Sequence, residues 1–157
     1  MRLGISGHQD ISPVVVAYVR PILIRLINEQ KANVVGVSSL AVGADQLFAT
    51  LILEHGGSLH AIIPCLGYEL TFVEPDSLKQ FRSLFARANR VDTLPYPRPS
   101  EEAFLNAGYQ VVDNSELLIA VGDGKLAAGK GGTADVVKYA RDNNRQVRVV
   151  WPPGVFR

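Results

Sequence analysis

The chain has 157 residues, 47% of them hydrophobic and 20% charged, with 16 basic residues against 15 acidic ones. That length supports one compact domain with a core of its own, and the near-zero charge argues against nucleic acid or an anionic membrane as a partner. Cys65 is the only cysteine, which excludes an internal disulfide and any cysteine-built zinc site. With no signal-peptide pattern and no apolar run of about 18 residues, a cytoplasmic protein is expected.

Apolar runs alternate with helical periods along the whole chain, as repeated βα units do. Met1–Ser6 reads as a first strand. Ser12 and Pro13 then suit a helix N-cap and first helical position. The helix after them, through Glu29, places Val15, Val19, Ile22 and Leu26 on one face, with a kink expected at Pro21. Asn33–Ser38 is a second strand and Ala44–Glu54 a helix ended by Gly56-Gly57. Ser58–Pro64 is a third strand, followed by a stretch without period from Cys65 to Pro75, which reads as a loop.

A helix over Asp76–Ala88 would turn Leu78, Phe81, Leu84 and Phe85 inward. Arg90–Leu94 is a short strand, and a proline-rich connection leads to a helix opening at Ser100-Glu101-Glu102 and running toward Asn114. Leu117–Val121, Thr133–Asp142 and Gln146–Val150 complete the order as strand, helix and strand. The expectation is a single domain over 1–157. It has a three-layer α/β fold, with a mostly parallel six-stranded sheet and helices on both faces.

Three glycine-bearing segments follow strands, where such sheets bind their ligands. A helix start behind each would offer backbone amides and partial positive charge to a phosphate. After the first strand, Gly7 permits a tight turn, while His8 and Gln9 offer hydrogen bonds to a base or ribose. After the second, Ser38 and Ser39 supply hydroxyls, Gly43 and Ala44 start a helix close to the sheet, and Asp45 caps that helix or bonds a ribose. After the fifth come Asp123 and Gly124, then Lys130, Gly131, Gly132 and Thr133, an order suited to an anion-binding nest.

The last segment lacks the order of a Walker A loop, and no G-x-G-x-x-G stands at the first turn. Asp123 suits a sugar hydroxyl or a magnesium ion, or simply a turn. His8, His55 and His60 lack metal-ligand spacing, so no resident metal and no required cofactor is expected. Asp135 is the carboxylate nearest the last glycine segment. Tyr68, Phe72 and Tyr109 are candidates for stacking a base, although packing is the commoner use of such residues. Arg82, Arg87, Arg90 and Arg98 form a basic run read as a solvated face.

The segments Gly4–His8, Ser38–Asp45, Ile62–Pro64, Val111–Gly124 and Gly129–Thr133 together resemble the SLOG superfamily. These are Rossmann-like domains related to the LONELY GUY phosphoribohydrolases and to DNA-processing protein A. The resemblance runs from Met1 to Val150 and implies a nucleotide-derived ligand and self-association into a homo-oligomer. Val136 stands where LONELY GUY enzymes carry a glutamate, and Gln9 where related chains often carry arginine. Ser39 replaces a glycine usual in the DNA-processing relatives. The leading expectation is therefore a domain that binds a nucleotide or nucleotide-derived phosphate, as a sensor module. The alternative is an N-glycosidic hydrolase of nucleoside 5′-monophosphates with Asp135 or Asp123 as its carboxylate, and a DNA-associated module ranks third.

Overall fold

A computed structural model describes residues 1–30, 33–123 and 132–155. Its elements follow in the order β1 (Arg2–Gly7), α1 (Pro13–Asn28), β2 (Val35–Ser38), α2 (Ala44–Glu54), β3 (Ser58–Ile63), α3 (Pro75–Arg87), β4 (Arg90–Thr93), α4 (Glu101–Asp113), β5 (Leu117–Val121), α5 (Thr133–Asp142) and β6 (Gln146–Val150). The six strands form one sheet in the order β4-β3-β2-β1-β5-β6, and every neighbouring pair is parallel. Parallel neighbours require crossovers, and each is made by a helix.

Helices α1 to α3 cover one face and α4 and α5 the other. The first three crossovers lead outward from β1 to the edge strand β4, whereas α4 carries the chain back across to β5. Strand order therefore reverses between β1 and β5, the point at which open α/β sheets gather their ligand-binding loops.

Burial follows from local sequence. Ser12 caps α1, its Oγ accepting the Val15 amide at 3.3 Å, and Pro13 occupies the first turn, where its missing N–H costs nothing. The helix passes through Pro21 without interruption and buries Val15, Val19, Leu23, Leu26 and Ile27. The central strands are apolar on both faces, as sheets covered on two sides require. The edge strand β4 is largely exposed, because only one neighbour and little helix cover it.

Two local readings need correction. Phe85 remains 42% exposed, because α3 buries only the narrow stripe formed by Phe81 and Leu84. The stretch after β3 is not plain loop: Tyr68–Thr71 forms a 3₁₀ turn that folds Tyr68 and Phe72 onto Phe81. Aperiodic sequence hid it because a single turn is too short to show a helical repeat.

Candidate functional site: a cavity over the carboxyl ends of the strands

A cavity of about 530 Å³ opens beyond the ends of β1, β2 and β3 and beneath α4. One part of its wall is backbone-rich and polar: Gly7 and Gln9 after β1, Ser39 and Asp45 at the β2–α2 junction, and Gly132 at the start of α5. Another part is aromatic, built from Tyr68, Phe72 and Phe104. The tyrosine packs edge-on against Phe72 at 5.2 Å and Phe81 at 5.5 Å, which fixes its ring. Pro64, Thr71, Ser100 and Glu101 also line the space.

The first two glycine segments are tied together by close backbone contacts. A side chain on Gly7 would overlap Ala44, so glycine is what lets α2 start against β1. Gly43 has φ 89° and lies against the backbone of His8 and Gln9, where a Cβ would collide with both carbonyls. The Ala44 amide donates to the His8 carbonyl at 3.2 Å, and the Gln46 amide to the Ala41 carbonyl at 3.1 Å. Two first-turn amides of α2 are thereby spent inside the protein.

Ser38 is fully buried; its hydroxyl donates to the Asp45 carbonyl at 3.4 Å and accepts the Leu40 amide at 3.0 Å. Ser38 and the fully buried Ala44 thus stand behind the wall, not in it.

Asp45 is the strongly perturbed carboxyl of the site. It is 7% exposed, and burial pushes its carboxyl up to about 7 against the opposing effect of bonds from the Ala41 and Ser39 amides. Between those two residues Leu40 takes a left-handed conformation, φ 58°, uncommon for a branched residue. Burial also raises the Tyr68 hydroxyl, and the Asp45 charge nearby adds to the effect. The acidic side chain braces the loop that precedes its helix while forming part of the cavity wall. Sequence periodicity gives no sign of that double placement.

His8 and Asp123 meet at the β1–β5 reversal. The Asp123 amide donates to His8 Nε2 at 3.2 Å, one carboxylate oxygen lies 3.3 Å from the same nitrogen, and the Trp151 ring packs edge-on at 5.3 Å. The Asp123 side chain is 2% exposed. His8 and Thr133 line a separate recess of about 330 Å³ beside α5 and β6, with Gly122, Lys138 and Arg141.

The sequence candidates therefore divide. Gly7, Gln9, Ser39, Asp45 and Gly132 share the large cavity, while His8 and Thr133 face the recess. Gly124, Lys130 and Gly131 lie outside the described residues. Neither Asp123 nor the half-buried Asp135 is on either wall, so the large cavity's carboxyls are Asp45 and Glu101. Tyr109 stacks on Tyr139 at 4.0 Å and does not line the cavity, whereas Tyr68 and Phe72 do. Ser100 and Glu101 were legible only as a helix start. Among the described residues no group of three or more metal-ligating side chains occurs. No described helix is long and apolar enough to cross a membrane.

No family model matches the sequence, and no curated protein matches it significantly. Solved structures do. DNA-processing protein A from Helicobacter pylori, described by its single-stranded DNA binding mode, superposes with a TM-score of 0.70 at 19% identity, over 95% of this chain and 64% of that one. DNA-processing protein A from Streptococcus pneumoniae gives 0.68 at 20% identity, over 94% and 49%. A structural-genomics target, TM1055, gives 0.59 at 16% identity, over 93% and 71%. The chain thus spans about two thirds and about half of the two DNA-processing proteins.

These likenesses correct one expectation. A near-zero net charge does not argue against nucleic acid, since a protein similar to this chain in fold binds single-stranded DNA. Net charge sums the whole surface, whereas a strand contacts only a local groove. In backbone arrangement and strand order, the chain has the Rossmann-like α/β fold of these structures.

Proposed function

We propose that the chain binds a nucleotide or nucleotide-derived phosphate ligand in the large cavity, as a sensor module. One observation carries this reading: Gly7 at the end of β1, Gly132 at the start of α5 and an aromatic wall face the same space of about 530 Å³. That volume falls in the range of small-molecule sites. A sugar phosphate fits the polar end, where Gly7 and Gly132 allow close backbone approach, and a base fits against Tyr68, Phe72 and Phe104. Calorimetry with a panel of nucleoside mono- and diphosphates tests it. Saturable heat from at least one member is expected, and none at millimolar ligand with folded protein refutes it.

A second reading, single-stranded DNA, is favoured by the likeness to the Helicobacter pylori protein. It predicts anisotropy-detected oligonucleotide binding that weakens steeply with salt. A free nucleotide would compete if both use the cavity. Absence of oligonucleotide binding at low salt removes this reading.

A further inference from the structure

The β2–α2 junction, where the sequence suggests hydroxyls and helix amides facing a phosphate, already holds an anionic group of the protein's own. Asp45 is 7% exposed and forms part of the cavity wall, together with Ser39 and Ala41 of the loop before its helix. A side chain buried to that degree has little room to swing away from an entering ligand. We propose that Asp45 fixes the charge of the ligand this cavity accepts, favouring a singly charged phosphate ester over a doubly charged one. The proposal rests on the reading that a phosphate-bearing ligand enters the cavity.

The magnitude follows from size. A cavity of 530 Å³ is about 10 Å across, so a phosphate anywhere inside lies within about that distance of Asp45. With an effective dielectric of about 20, the ionised carboxyl weakens binding on the order of tenfold for each ligand charge. The neighbouring titratable groups do not offset this. Burial raises the Tyr68 hydroxyl and the Cys65 thiol, so both stay neutral near neutral pH. Glu101, on the same cavity from α4, adds negative charge, although its exposure lets solvent screen it. Ionisation of Asp45 near pH 7 sets where discrimination begins.

The probes are adenosine 5′-monophosphate, which gains its second charge near pH 6, and its 5′-methyl phosphodiester, which stays singly charged throughout. Between pH 6 and 8.5, wild-type affinity is expected to fall about sevenfold for the diester and about twentyfold for the monophosphate, the latter limited by uptake of a proton by Asp45 on binding. In Asp45→Asn both should be flat to within about threefold. A pH-independent diester affinity in the wild type, or an Asp45→Asn protein that keeps the wild-type dependence, overturns the proposal. Should the asparagine variant not fold, Asp45→Ser and the wild-type diester profile decide, because the diester's own charge does not change. Failure of the wild type to bind either ester refutes the nucleotide reading itself, and this inference falls with it.

Discussion

Replacing Asp45 by asparagine should change how the unliganded protein's stability depends on pH. The native carboxyl titrates at about 7, against 3.8 for an unperturbed aspartate. A carboxyl with a raised folded-state value holds its proton more tightly when folded, so its contribution to stability declines as pH rises from about 4 to beyond 7. Integrated from pH 5 to pH 8, the wild type should lose about 2.5 kcal/mol through this one group.

Asparagine has nothing to ionise. It also buries an amide nitrogen where a carboxyl oxygen stood, which costs about 1–3 kcal/mol at every pH if that nitrogen finds no acceptor. The variant is therefore expected to be the less stable protein at pH 5 and to draw level with or overtake the wild type at pH 8. Urea unfolding at the two pH values measures this, because other titrations cancel in the difference. A stability gap that stays constant within about 0.5 kcal/mol would refute the reasoning from burial.

Other outcomes follow from the same coordinates. His60 is 1% exposed, with Arg2 Nη2 at 2.6 Å from Nδ1 and Asp92 Oδ2 at 2.6 Å from Nε2. Burial, the largest influence, lowers its pKa. Its neutral form, accepting from Arg2 and donating to Asp92, is favoured in the fold. Stability from this group is thus present above pH 6.5 and lost as pH falls below it, a slope opposite to that of Asp45; His60→Gln should remove it in urea titrations from pH 7 to pH 5. Gly7→Ala must push α2 off β1 and should cost about 1–3 kcal/mol by thermal or chemical unfolding. Phe72→Ala removes a ring stacked on Phe81 at 4.6 Å. It should cost about 3 kcal/mol of stability. If a base packs there, nucleotide affinity should fall about tenfold by calorimetry.

The order and type of the elements were legible because each rests on a local rule. Ser12-Pro13 and Ser100 signal helix starts, doubly apolar strands signal a covered parallel sheet, and Gly56 ends α2 in a positive-φ turn. The glycine segments were legible as strand-end junctions for the same reason: Gly7 and Gly43 stand where a side chain would collide with the neighbouring element.

What each residue at those junctions faces was decided only by tertiary packing. Spacing could not show that Ser38 and Ala44 turn behind the wall while Ser39 forms it, nor that Asp123 closes on His8 across the β1–β5 reversal. Nor could it show that Asp45 is buried in the cavity wall beside Ser39 and Ala41. Backbone conformation and hydrophobic period are properties of neighbours in the chain, so sequence alone carries them. A buried carboxyl's charge and a cavity's mixed polar and aromatic wall depend on atoms brought together from distant elements, here β1, α2, the segment after β3, α4 and α5. Those relations exist only once the sheet has ordered its strands.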